Sequence, residues 1–441
     1  MAKTREKINV FLREHCTLLC ILVGAALVSF SLGPYSNFDT QVEFAAASSV
    51  VTQGFPFASP GNLVNQPPLG FYLNGLFLGF FGLSYETGAV AVTFWGVGCV
   101  FLVYEIGKAF YNARIGLIAA AVFALTPWQV VLSRSFLIDV PCLFFSLLCL
   151  LVGLWAVRQA SLKLTLASGI LFGFAFLTKF FAVFSLIPLA LLFVSQPPKG
   201  FKRMSIQILL FALPALLMYY LWYEVITGLG FFSFVGHNDF LSFTQGIKPS
   251  WFFLLNFFIN NPGLLFLLAT GISMLLVAWT HESFKSSFFD LVCLVTIVGT
   301  AGVNMFLVLS IGLVVPYVDP VKYDYQALPA FCLLGASLLQ KTDLLRLHRR
   351  SEGQNSRNNM LFLASIIGGV FLAASIVVNG LTLGSLIGKE TVLLKVEGDV
   401  AFSFQNVGFD PGSTLQYSLL ALGFLVLVAV VAHTLMAFRN D

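Results

Sequence analysis

Seven side chains in this sequence are of types that could act together on a charged substrate: Asp39, Glu43, Arg134, Asp139, Lys179, Lys322 and Tyr323. Asp39 lies in the first long polar break after an apolar run, PYSNFDTQVEFAAASSVVTQGFPFASPGNLVNQPPLG. That break holds two acids, Asp39 and Glu43, and no Lys or Arg. The neighbours Asn37 and Thr40 can hydrogen-bond to Asp39 but do not neutralise it, which leaves a carboxylate able to accept a proton. Arg134 and Asp139 frame the turn SRSFLID, and Lys179 interrupts the apolar run FLTKFFAVF. Lys322 stands beside Tyr323 in VDPVKYDYQALPAF. One acid and three cations gathered on one face could hold an anionic lipid phosphate with a general base opposite it.

Each of these groups also has a plainer explanation when taken alone. Lys179 could snorkel to the headgroups, which would make it dispensable to the fold. Arg134 could form a structural pair with Asp139. Glu43 and a further candidate, His237, fit a solvated surface. The argument for chemistry is their convergence. An ionisable group at membrane depth costs on the order of 2.5–3.5 kcal/mol, so such groups tend to be functional or paired.

The membrane setting follows from composition. Of 441 residues, 58% are hydrophobic and only 10% are charged, with mean hydropathy +0.90. A soluble globular chain carries about 25% charged residues. A core of this length cannot bury so much apolar surface, so lipid must solvate much of it, and a polytopic all-α membrane protein is expected. The net charge of +4 reflects where Lys and Arg sit relative to the bilayer and does not imply nucleic acid. The seven cysteines all fall in apolar runs, without a CxxC or a Cys/His cluster. They read as small hydrophobes, and neither disulfides nor a metal is inferred.

Spans are expected near 16–33, 87–107, 115–132, 140–157, 163–177, 180–195, 205–223, 262–279, 288–314, 325–339, 360–380 and 417–437. The basic N-terminus, MAKTREKINVFLREH, precedes a first helix read as retained, because no small-residue cleavage site stands near Gly33-Pro34. A thirteenth apolar stretch, 67–82, is assigned by charge. If it lies in the interface, 18 of the 24 Lys and Arg fall on the side of the N-terminus and 6 on the other. If it spans, the division becomes 10 and 14. The positive-inside rule favours the first arrangement. About twelve helices then span a single integral membrane domain over 1–441. Both termini are cytoplasmic, 34–86 is one outer segment, and 224–261 and 381–416 are further outer loops.

Within the first outer segment, Thr40 to Val51 reads as a helix lying along the membrane surface, ended by Gly54 and Pro56, with a loop from Gly61 to Pro68. The glycines at 70, 75, 79 and 82 read as a close-packing face. No soluble domain, internal repeat or low-complexity tail is apparent.

The order and sidedness of these motifs resemble the C-type glycosyltransferases of the protein O-mannosyltransferase group, which includes the bacterial transferase that adds aminoarabinose to lipid A. The resemblance runs through roughly 34–200 and returns at 316–340. It implies that Asp39 is the catalytic aspartate of the first outer loop. Arg134 and Asp139 match the family's second outer turn. Lys179, in GFAFLTKF, matches the lysine of a GLAFLTKG-like motif, and Lys322-Tyr323 match the Arg-Tyr of a RYLLPLLP-like segment.

Two departures stand out. Thr40 follows Asp39 where the family often has Glu, and Gln66 precedes the Pro-Pro where it usually has a basic residue. Gln donates a hydrogen bond but cannot neutralise phosphate, which bears on sugar or acceptor preference more than on reaction class. The segment 345–441 lacks the large soluble domain of many relatives, so acceptor recognition falls to the outer loops.

The resemblance thus implies transfer of a monosaccharide from a polyprenyl-phosphate donor to a protein, lipid or glycan acceptor at the outer face of the cell membrane, by inverting displacement. Asp39 would be the base, and Arg134, Lys179, Lys322 and Tyr323 would hold the donor phosphate. Asp139, Gln66, Glu43 and His237 would support them or face the acceptor. No cofactor is expected. A divalent metal is optional, with three cations present and no D-x-D near Asp39. Two rivals stay open at this point: a flippase or transporter of lipid-linked glycans, and a polymerase or ligase using the same donors.

Overall fold

The computed structural model describes residues 2–31, 34, 38–64, 66–198, 200–230, 288–312 and 325–341. The expected spans at 262–279, 360–380 and 417–437, the loop 381–416 and most of 224–261 lie outside the described residues, as do His237, Lys322 and Tyr323.

The described chain is helical throughout apart from one small hairpin. Helix α1 (Ala2–Ser31) leads to α2 (Phe38–Gln53), which contains the helix expected from Thr40. Gly54, at φ +81°, ends α2 in a conformation that only glycine adopts without strain. The expected loop after it is partly ordered into strands β1 (Phe57–Ser59) and β2 (Asn62–Leu63), paired antiparallel across Pro60-Gly61. Then come α3 (Leu69–Phe81), α4 (Tyr85–Phe110), α5 (Ala113–Leu125) and α6 (Pro127–Leu132). Helices α7 (Asp139–Gln159) and α8 (Leu162–Thr178) form a hairpin, followed by a 3₁₀ segment (Phe180–Ser185) and α9 (Leu186–Ser195). Helix α10 (Phe201–Tyr220) ends in a π-helical turn (Leu221–Ile226). The last described elements are α11 (Phe288–Gly312), a 3₁₀ turn (Tyr325–Ala327) and α12 (Leu328–Lys341).

Local chemistry explains the boundaries. The side chains of Ser84, Asn112 and Ser161 accept hydrogen bonds from the backbone N–H of Thr87, Ile115 and Leu164, which caps α4, α5 and α8. The expected span 115–132 is broken, because Thr126 precedes Pro127 and takes the extended conformation that a following proline imposes. Among the described residues four helices are long and apolar enough to cross a membrane: Glu14–Ser31, Tyr85–Phe110, Asp139–Gln159 and Phe201–Ile226. Several other expected spans appear as shorter apolar helices, including Ala113–Leu125 and Leu162–Thr178. The exposed Leu209, Leu213 and Leu216 of α10 fit a lipid-facing surface.

Small residues let the helices approach. A Cβ on Gly107 would lie 2.7 Å from Cα of Gly116, so α4 and α5 cross in backbone contact. A Cβ on Gly169 would lie 2.4 Å from the Phe211 carbonyl oxygen, which brings α8 equally close to α10. The expected glycine face of α3 divides in the same terms. Gly70 and Gly75 abut Ile138 and α2, whereas Gly82 faces open space and terminates the helix at φ +106°. Tyr72 ties α3 back to the end of α2 by donating to the Gly54 carbonyl at 2.8 Å. Burial raises its phenol above the usual range, so it stays protonated and a donor.

Candidate active site

The N-terminal turn of α2 carries two carboxylates on one face. Asp39 sits in the first turn and is half-buried, and Glu43 follows one turn later. The buried face of α2 is Thr40, Glu43, Ala46, Ala47 and Ser49. Glu43 is therefore not the solvated surface acid expected from the sequence: it is only 4% exposed. Its Oε2 accepts the backbone N–H of Ile138 at 2.7 Å. This ties α2 to the start of α7, with Asp39 one helical turn before the contact.

Asp139 opens α7, where the helix dipole favours a negative charge. Its Oδ2 accepts a hydrogen bond from Nζ of Lys179 at 2.6 Å. Both side chains are about 95% buried. Asp139 is thus paired with Lys179, forty residues away along the chain. Lys179 does not snorkel. It ends α8 in an extended conformation, its N–H bonded to the Ala175 carbonyl, and turns inward to α7. The thiol of Cys142, one turn into α7, donates to the Lys179 carbonyl at 3.5 Å, a second tie between the two helix ends. An ion pair this buried gains little over an apolar pair, but losing one partner strands the other charge. The expectation that Lys179 is dispensable to the fold is corrected on that ground.

Arg134 lies in the same turn and is 1% exposed, one of the largest fully buried side chains. Its guanidinium remains charged at any relevant pH. The turn that carries it is clamped against α4. Thr93 donates to the Ser133 carbonyl at 2.9 Å, and Gln129 Nε2 donates to Ser133 Oγ at 2.8 Å and to the Gly96 carbonyl at 3.1 Å. A Cβ on Gly88 would meet the Phe136 ring at 2.4 Å, which shows how closely α4 supports this turn. Phe44 of α2 stacks on Tyr85 and meets Phe136 edge-on.

Two further segments reach the site. A Cβ on Gly70 would lie 2.6 Å from Ile138 and 3.0 Å from Thr178, so the start of α3 fits between the start of α7 and the end of α8. Pro67 and Pro68 are buried there, with half-buried Gln66 just before them. From the far end of the sequence, Tyr325 donates to Gln129 Oε1 and Gln326 Nε2 approaches the Cys142 sulfur at 3.4 Å. This brings the segment that follows Lys322-Tyr323 to the same place.

Asp39, Glu43, Gln66, Arg134, Asp139 and Lys179 thus belong to one end of the helix bundle. Gln129 and Tyr325 were not foreseen as part of it. Tyr325, three residues after Lys322, stood inside a motif already singled out. Among the described residues no group of three His, Cys, Asp or Glu could hold a metal ion.

The opposite end of the bundle is basic. Lys108 pairs with Glu14 at 2.6 Å, beside a hydrogen bond from Tyr104 to the same carboxylate. Arg158 donates to the Ala109 carbonyl and Arg203 to the Ala160 carbonyl, each at 2.6 Å, covering the C-terminal carbonyls of α4 and α7.

Residues 65–224 match the family model described as dolichyl-phosphate-mannose-protein mannosyltransferase. That stretch contains Arg134, Asp139 and Lys179 and begins after Asp39. A Bacillus subtilis protein that carries the name of a mannosyltransferase, YycA, is 31% identical over 188 residues, 41% of this chain. The aligned part is 27% of that protein's length. Two solved structures share the fold. One is ArnT from Cupriavidus metallidurans bound to undecaprenyl phosphate, with TM-score 0.56 and 13% identity over 95% of this chain and 76% of that one. The other is the archaeal oligosaccharyltransferase AglB from Archaeoglobus fulgidus, in complex with an inhibitory peptide and a dolichol-phosphate. Its TM-score is 0.52 and its identity 16%, over 82% of this chain and 56% of that one. The resemblance to C-type glycosyltransferases drawn from the sequence agrees with these matches.

Proposed function

We propose that this chain is a membrane glycosyltransferase that moves a monosaccharide from a polyprenyl-phosphate donor to an acceptor hydroxyl at the outer face. The observation that carries this reading is the gathering of Glu43, Asp139 and Lys179 around the first turn of α7, with Asp39 one helical turn from Glu43. It is supported by the polyprenyl phosphates bound by the two structures of like fold.

In the proposed reaction Asp39 takes the proton of the acceptor hydroxyl. The acceptor oxygen attacks the anomeric carbon from the face opposite the phosphate, so the configuration inverts. The bond from that carbon to the phosphate oxygen breaks, and the electron pair leaves on the polyprenyl phosphate. A phosphate is a stable leaving anion and needs no acid to protonate it. Arg134, Lys179 and Lys322 stabilise its charge, with Tyr323 as a hydrogen-bond donor. Lys179 is an ammonium with three N–H donors, one of which bonds Asp139, and in this reading it also donates to a phosphate oxygen. Glu43 fixes the position of α2, and Asp139 aims Lys179.

The outer-face assignment is supported by the position of this site at the end of the bundle opposite Lys108, Arg158 and Arg203. It is tested by a cysteine at Leu83, an exposed position in the link between α3 and α4. In a background with the exposed Cys16 and Cys20 replaced by Ala, Leu83→Cys is expected to react in intact cells with a membrane-impermeant maleimide. Labelling only after the inner face is opened would overturn the sidedness of the site.

A further inference from the structure

At the basic end of the bundle, α7, α8, α9 and α10 line a cleft of about 240 Å³ that belongs to no part of the site described above, with Thr165 and Ser168 of α8 in its wall. Gly153 and Ala156 of α7, Ala190 of α9, and Ile208 and Phe211 of α10 line it. One polar side chain among them stands out. Gln207 is 94% buried and lines the cleft. Its amide gives an otherwise largely apolar cleft a group that can hydrogen-bond to an occupant.

The mouth of the cleft indicates what that occupant is. Arg203 precedes Gln207 by one helical turn, so the two share a face of α10 about 6 Å apart along the axis. Lys202 and Arg203 are exposed there, as are Arg158 at the end of α7 and Lys163 at the start of α8. The adjoining segments 157–163 and 195–207 contain no Asp or Glu. Arg203 spends one Nη2 hydrogen on the Ala160 carbonyl and keeps further donors at the mouth. Moving inward, the order is cations, then a buried amide, then an apolar cleft. A phospholipid has that order too: phosphate, then glycerol esters, then acyl chain.

We infer that this cleft binds an anionic glycerophospholipid of the adjacent leaflet. Its phosphate lies at Arg203 and Lys202, an ester carbonyl accepts from the Gln207 amide, and one acyl chain runs between α9 and α10. The lipid occupies the end of the bundle away from Asp39, so it is distinct from the proposed donor.

The test uses the full chain, delipidated in detergent and offered equimolar phosphatidylglycerol and phosphatidylcholine, with retained lipid read by native mass spectrometry. Wild type is expected to retain phosphatidylglycerol in preference. Arg203→Gln should cut that preference by roughly fivefold, the usual effect of one cation at an anionic surface. Gln207→Leu should lower retention of both lipids by roughly two- to tenfold, because both carry the esters. Ala190→Trp, introduced from the exposed side of α9, should abolish retention by filling the cleft. Thermal unfolding confirms that each variant is folded. Equal retention of the two lipids by wild type, or unchanged retention in folded Arg203→Gln and Ala190→Trp, would overturn the assignment. Displacement of phosphatidylglycerol by polyprenyl phosphate would also overturn it, by making the cleft a seat for the donor tail.

Discussion

Asp39→Asn is expected to lower sugar transfer by about 10²–10⁴-fold while leaving donor binding largely intact, since that is what a positioned general base contributes. The substitution keeps size and hydrogen bonding and removes basicity alone. Glu43→Gln is the comparison that gives the result meaning. The two acids lie one turn apart on the same helix, but Glu43 has its Oε2 committed to the Ile138 N–H. Gln can still accept that hydrogen bond, so transfer should fall far less than in Asp39→Asn. The readout is turnover of purified protein at saturating donor, with donor affinity measured separately. A wild-type rate in Asp39→Asn would remove it as the base. A larger loss in Glu43→Gln than in Asp39→Asn would move the base to Glu43.

The second large effect concerns Lys179. Lys179→Met removes the cation from a pair whose carboxylate, Asp139, is almost wholly buried. Stranding that charge is expected to cost about 3–5 kcal/mol of stability. The double variant Lys179→Met/Asp139→Leu should recover most of that loss, because a buried ion pair is worth little more than apolar groups of similar volume. Thermal unfolding in detergent reads both. Donor use separates the structural role from the chemical one. If Lys179 also contacts the donor phosphate, the stable double variant still uses donor poorly. Normal donor affinity in it would confine Lys179 to holding the ends of α7 and α8 together. An unchanged melting temperature in the single variant would contradict the buried pair itself.

Much of the site could be read from the sequence because its residues are chemically conspicuous. Arg134, Asp139 and Lys179 are ionisable groups bordering apolar runs, and that cost alone made them candidates. Helix α2 was legible from its composition and from Gly54, which ends it. Partner choice was not legible. Asp139 pairs with Lys179, forty residues away, because the hairpin of α7 and α8 sets the start of one helix against the end of the other. That is a tertiary fact with no local signature.

Glu43 shows a different limit. Its helical spacing to Asp39 was plain, but only the approach of Ile138 to that face turns a surface acid into a buried acceptor. The break at Thr126-Pro127 was written in the sequence as a residue forced extended by the proline after it. Gln207 lies within the expected span 205–223, and only the packing of α10 against α7, α8 and α9 places it on the cleft.

Whether this chain breaks the sugar–phosphate bond of a lipid-linked donor can be measured directly. The purified chain, reconstituted in sealed vesicles with native membrane acceptors, is given polyprenyl-phosphate mannose labelled in the sugar. The account predicts release of free polyprenyl phosphate in step with appearance of label in acceptor, with the anomeric configuration inverted and the release suppressed in Asp39→Asn. Donor that crosses the vesicle membrane with its sugar–phosphate bond intact, and no free polyprenyl phosphate, would contradict it.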